Sequence, residues 1–254
     1  GSLLLGHQTT GVLDAAQYNT GVGLAALDAL TTGDRNTAVG YLSLSENTSG
    51  FNNSAIGLQA LFNNTTGYYN SAIGSQALYN NTTGTSNSAV GLLALGANTT
   101  GSNNTASGYR ALDANTTARY NTAIGSLALY LANRTADVDG YNVALGYKAG
   151  NTGTNDITTG NKNTLLGAST AASAAAGTNQ SVIGYGASGQ ADNSVTLGNA
   201  DVTAVYMAQD KGATVYAAGM VVSDDGTIGS ESDANAIAIS SGGVVTLSAA
   251  TAST

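Results

Sequence analysis

A 17-residue period governs most of this chain. The string Asn-(Ser/Thr)-Ala-(Ile/Val)-Gly and its variants close on Gly23, Gly40, Gly57, Gly74, Gly91, Gly108 and Gly125, each 17 residues after the one before. The series runs on through Gly146, Gly167, Gly184 and Gly198 at intervals of 21, 21, 17 and 14, and Gly6 lies 17 before Gly23. A leucine stands four residues after each glycine of the regular stretch: Leu27, Leu44, Leu61, Leu78, Leu95, Leu112 and Leu129. A turn-like string follows, as in Asn64-Thr65-Thr66-Gly67, Asn81-Thr82-Thr83-Gly84 and Asn98-Thr99-Thr100-Gly101.

This period decides the fold class. A helical hairpin repeat takes about 33 residues or more. The unit is also rich in β-branched residues, Gly and Asn, which disfavour helix. Ser-Ala-Ile-Gly alternates in size as a strand with one packed face does. Asn-Thr-Thr-Gly is turn chemistry, because Asn and Gly tolerate positive φ. Each unit therefore reads as strand, bend, short strand and turn, one coil of an all-β solenoid. Coils stacked about 4.8 Å apart make a rod of about 50 Å from eleven of them. Stacking places Ile/Val over Ile/Val and Leu over Leu, and both columns are expected to form one apolar seam inside. Asn over Asn allows each amide to satisfy the next. A core of about two large apolar residues per coil is thin against the entropy of ordering 17 residues. The abundant Ala offers a second, close-packing face, so chains are expected to associate, most simply as a homotrimer.

Composition agrees and excludes much else. Ala, Gly, Thr and Asn number 43, 34, 33 and 26 of 254 residues. Net charge is only −8, so the chain lacks the charge density of a disordered segment. The same acidity argues against a nucleic-acid groove. Cys is absent and His7 is the single histidine, which leaves neither thiolate or histidine zinc ligands nor a Ser-His-Asp triad on a firm coil. No apolar run approaches the roughly 18 residues of a spanning helix. The chain begins at Gly1 without an initiator Met or signal peptide and is expected to be a processed product or a fragment.

The Asn-Ser-Ala-Ile-Gly strings resemble the head repeats of trimeric autotransporter adhesins. They resemble still more the Asn-Thr-Ala-Ile-Gly arrays in tail-fibre and tail-spike proteins of phages and phage-like particles. The resemblance covers residues 19–198, and Asn193–Tyr206 is similar to the segment that ends such arrays. It implies a homotrimeric, left-handed parallel β-roll serving as shaft or adhesive head. The 17-residue unit is longer than the usual adhesin repeat, and residues 207–254 do not resemble the self-cleaving chaperone domain that often follows such arrays.

Three regions follow: an atypical coil or cap over residues 1–18, the repeat array over 19–200, and a capping or connecting β-domain over 201–254. In the last, Ala213–Ala217 and Val244–Leu247 read as strands separated by turns. Both 21-residue intervals add four residues to a coil, and such insertions project as loops on which binding concentrates. Arg134, Asp137, Asp139, Tyr141, Asn155 and Asp156 are the candidate receptor-binding residues on these two loops.

Other motifs have plainer explanations. Gly184-Tyr185-Gly186-Ala187-Ser188-Gly189 matches a dinucleotide-binding string, but Gly184 is the periodic glycine and no βαβ unit follows. Asp137-Val138-Asp139-Gly140 and Asp224-Asp225-Gly226 lack the full calcium-loop spacing and read as turns. Asn64-Thr65-Thr66 fits a glycosylation acceptor, but its periodicity fits a turn ladder better. No catalytic residue, metal or cofactor is expected. The expected function is a non-enzymatic fibre or adhesion shaft on a virion, a cell surface or otherwise outside the cell. Its partners are other copies of the chain and a cell-surface glycan or receptor. A self-assembling extracellular filament is the alternative, and ice binding through the Thr pairs is a more remote one.

Overall fold

The computed structural model describes residues 2–5, 16–133 and 139–205, together with three short strands at 227–228, 237–239 and 245–247. The chain divides into two units, Gly1–Val205 and Tyr206–Thr254.

The first unit is a parallel β-solenoid. Its strands are β1 (Leu3–Leu5), β2 (Thr20–Val22), β3 (Thr37–Val39), β4 (Ser54–Ile56), β5 (Ser71–Ile73), β6 (Ser88–Val90), β7 (Thr105–Ser107) and β8 (Thr122–Ile124). They continue as β9 (Val143–Leu145), β10 (Thr164–Leu166), β11 (Gln180–Ile183) and β12 (Ser194–Leu197). All twelve form one sheet in chain order. Every pairing is parallel and in step with the repeat, as in Ser71↔Ser88, Ala72↔Ala89 and Ile73↔Val90.

One coil shows why these residues give this path. Ala72 faces inward at the centre of β5 and is fully buried, while Ile73 faces outward at 42% exposure. Gly74 follows at φ +135°, and a Cβ on it would lie 2.6 Å from the Gly91 carbonyl oxygen, so only glycine passes this corner. Gln76 and Leu78 are both left-handed, at φ 56° and 52°, and turn the chain so that Ala77 and Leu78 enter the core. Two left-handed residues so close together leave no second extended segment, so the short strand expected in each coil is replaced by a bend. Asn81 then points inward, and the amides of Thr82, Thr83 and Gly84 converge on the Thr99 carbonyl oxygen at 2.9, 3.2 and 3.3 Å. Successive amides cradling one oxygen form a nest, which explains the Asn-Thr-Thr-Gly string. A third left-handed residue, Ser86 at φ 57°, leads into inward-facing Asn87 and the next strand.

The expected seam is therefore corrected in one respect. The leucine column is inside, from Leu27 to Leu129, but its partner is the alanine column of Ala38, Ala55, Ala72, Ala89, Ala106, Ala123 and Ala144. The Ile/Val column lies outside. Adjacent residues on a strand face opposite sides, and the coil is too narrow to hold an isoleucine where alanine fits. Volume is conserved where the pattern shifts. Gly150 takes the leucine position after Leu129, and buried Leu165 of β10 and Ile157 fill the space.

Two polar columns complete the interior. In the first, each Asn sends its backbone amide to the Oδ1 of the Asn one coil earlier, as Asn87 does to Asn70 at 3.0 Å. Asn70 Nδ2 donates to Gly84 O at 2.8 Å, closing its own coil. This column runs from Asn19 to Asn163, and the backbone amide of Gln180 bonds its last oxygen at 3.0 Å. The second column joins Asn47, Asn64, Asn81, Asn98 and Asn115, each Nδ2 donating to the preceding Oδ1 at 2.7–2.8 Å. Its next position is Ala132, so Asn115 Oδ1 is buried without a donor.

In the second unit, β13 (Thr227–Ile228), β14 (Ile237–Ile239) and β15 (Val245–Leu247) form an antiparallel sheet in chain order. Of the strand expected at Val244–Leu247, the described part is Val245–Leu247. The one expected at Ala213–Ala217 lies outside the described residues.

Candidate functional site

The largest unusual surface of the solenoid is apolar. Val22, Val39, Ile56, Ile73, Val90, Ile124, Leu145, Ile183 and Leu197 are 37–49% exposed in one outward column. Two residues on, past the corner glycine, Leu24, Tyr41, Leu58, Leu92, Tyr109, Tyr147 and Tyr185 make a second column at 44–74%. Ser75, Ser107 and Ser126 interrupt the columns. Together they present on the order of 1,000 Å² of apolar surface in a continuous stripe, where a soluble monomer rarely exposes more than a few hundred. Sequence reasoning placed the Ile/Val column inside. The signal against that was in the repeat itself: one strand position is almost always Ala, as a confined interior site demands, while its neighbour accepts Val, Ile, Leu and Ser.

The candidate loop residues are divided. Arg134 and Asp137 lie outside the described residues. Asp139 and Tyr141 are brought together, the phenol donating to Asp139 Oδ2 at 2.9 Å. That bond raises the Tyr141 phenol above its ordinary value, because the carboxylate holds the proton. Arg119 Nε pairs with Asp139 Oδ1 at 3.0 Å, and Tyr120 stacks on Tyr141 at 5.1 Å. Asn155 and Asp156 sit on the next coil's loop. Asp156 Oδ1 accepts the Gly153 amide at 2.7 Å, so it shapes the loop. No hydrogen bond joins Asn155 or Asp156 to Asp139 or Tyr141 among the described residues.

Aromatic side chains otherwise stack along the rod, Phe51 on Tyr68 at 4.7 Å and Phe62 on Tyr79 at 5.3 Å, as packing over neighbouring coils requires. Arg110 pairs with Asp113 at 2.7 Å and lies over the Tyr130 ring; the carboxylate raises the guanidinium pKa. The Thr pairs are tied into turns: Thr65, Thr82 and Thr99 each donate Oγ1 to the next coil's Thr carbonyl at 3.1 Å. Asn64, Asn81 and Asn98 are fully buried in their column, so the acceptor strings they begin are closed to glycosylation. Among the described residues no three His, Cys, Asp or Glu side chains gather as a metal site, and no helix is long and apolar enough to cross a membrane.

Set against known proteins, the chain matches no family model, no curated protein and no solved structure.

Proposed function

We propose that this chain is a structural fibre subunit whose copies associate through the outward Ile/Val and Leu/Tyr columns. The observation that carries this reading is the apolar stripe, which spans eleven coils of a charge-poor rod. A second copy is the fitting occupant, because a straight column repeating every coil is matched by another column with the same rise. Three-fold closure hides one such stripe per chain in a shared axis, so a homotrimer is the simplest assembly. The role is that of a tail-fibre-like or adhesin-like shaft on a virion or cell surface, presenting a receptor-binding end. The left-handed roll and the non-enzymatic character belong to the same reading.

Size-exclusion chromatography with light scattering tests it. A trimer of 25.0 kDa chains has a mass of about 75 kDa. The double variant Ile56→Asp/Ile73→Asp is expected to shift the mass toward one chain while β circular dichroism persists. A wild-type protein that is folded and monomeric overturns the proposal. Long unbranched fibres in electron micrographs would move it to the extracellular filament.

A further inference from the structure

A groove of about 520 Å³ lies away from the apolar stripe. Thr82, which lines it, is nine residues past Ile73 in a 17-residue coil, half a turn around the rod. The groove thus stays open when the stripe is covered. It exists because ring-bearing positions give way to small ones: Phe62 and Tyr79 are followed one coil later by Gly96, and Asn63 and Asn80 by Ala97. Phe62, held against Tyr79 at 5.3 Å, makes one wall, and the column of Thr65, Thr82 and Thr99 makes the other. Asn63, Asn80 and Ala97 form the floor, and Glu46 stands at one end.

The hydrogen bonds already made decide what this groove can take. Each threonine hydroxyl spends its proton on a backbone carbonyl and keeps its lone pairs. Asn63 Nδ2 donates to Asn80 Oδ1 at 3.1 Å, which leaves Asn63 Oδ1 as an acceptor and Asn80 Nδ2 as a donor. Glu46 adds an exposed carboxylate. The lining is rich in acceptors, carries no cation, and has one aromatic surface. Such a site selects a neutral ligand rich in hydroxyl donors with an apolar C–H face, and it repels anions.

We propose that this groove binds a neutral oligosaccharide lying along the rod axis. Four coils span about 14 Å at the strand spacing, which fits about three pyranose units. One ring faces Phe62, and hydroxyls of successive units meet the amide and threonine columns. The proposal rests on the coil geometry and not on the assembly.

Saturation-transfer NMR on the full chain tests it, with maltotriose, cellotriose and chitotriose as probes and light scattering run alongside. At least one probe is expected to give saturable transfer below about 20 mM, the weak range of a shallow site. Ala97→Leu should abolish that signal by filling the floor. Leu131 occupies the same coil position two coils on, so the fold accepts the substitution. Phe62→Ala should weaken binding by about tenfold, as loss of the single aromatic wall requires. Absence of saturable transfer with all three probes overturns the proposal, as does equal transfer with Ala97→Leu. Assembly mass is read in the same samples, so a failed groove and a failed fibre are told apart.

Discussion

Replacing Asn81 by leucine should destabilise the solenoid far more than the same change at Asn115. Both belong to the inner turn column, and both positions tolerate an aliphatic side chain, since Leu30 and Ile157 occupy the equivalent site and are buried. Removing Asn81 leaves Asn64 Oδ1 with no donor and takes from Asn98 Nδ2 one of its two acceptors. The Gly84 carbonyl keeps its bond from Asn70 at 2.8 Å. Two unsatisfied buried valences cost about 2–6 kcal/mol in all. Removing Asn115 orphans Asn98 Oδ1, but it also deletes an oxygen that already lacks a donor. The Ala118 carbonyl keeps Asn104 at 2.9 Å. The apolar gain of the leucine is common to both, and at Asn115 one orphaned oxygen replaces another, so the difference is about 2–6 kcal/mol. At this chain length that is about 4–24 °C in Tm. Ala132→Asn supplies the missing donor to Asn115 but passes the unpaired oxygen on to its own Oδ1, since Ile157 follows in the column, so it should leave Tm within about 2 °C. Thermal melts followed by circular dichroism measure all three. If Asn81→Leu and Asn115→Leu melt within about 2 °C of one another, the column is not a chain of net-stabilising bonds and the reasoning fails.

The corner glycines and the last coil give two further tests. Gly74→Ala puts a Cβ 2.6 Å from the Gly91 carbonyl oxygen at φ +135°, so it should cost several kcal/mol and lower Tm more than Ser75→Ala beside it. Asp192 accepts the Thr178 amide at 2.7 Å and Gln180 Nε2 at 2.9 Å, and these donors hold its carboxyl below the ordinary value. A depressed folded pKa gives stability that is complete above the unfolded value and lost as pH falls through the folded one. The carboxyl carbon shift of Asp192 should therefore titrate below that of the unfolded chain, and Asp192→Asn should reduce the loss of Tm on acidification below about pH 4.

The period made the solenoid, its axis, its turn string and its Asn columns legible, because translation by 17 residues fixes which residues stack whatever the path of one coil. The path itself was not legible. Leu78, Gln76 and Ser86 adopt a left-handed backbone that none of these residue types favours, and only the neighbouring coils' hydrogen bonds hold them there. Without those corners the strand's parity is undetermined, which is how Ile73 came to be assigned to the side that Ala72 occupies. The compensation of Gly150 by Leu165 and Ile157 likewise depends on distances across the coil. Of the candidate loop residues, the bond between Asp139 and Tyr141 was hidden because the inserted residues displace the period at that point.

The left-handed corners also bear on how the rod responds to force. Three such residues per coil each cost on the order of 1 kcal/mol by themselves, so a coil stripped of its neighbour does not hold its path. Pulled from an end, the solenoid gives way one coil at a time. Each released coil exchanges about 4.8 Å of rise for about 55–60 Å of extended chain, some twelvefold in length. The coil beneath remains a template on which the freed segment winds again when tension drops. A shaft of this construction absorbs a sudden load by paying out chain in coil-sized steps, and its extensibility is set by the number of coils left free of lateral contacts.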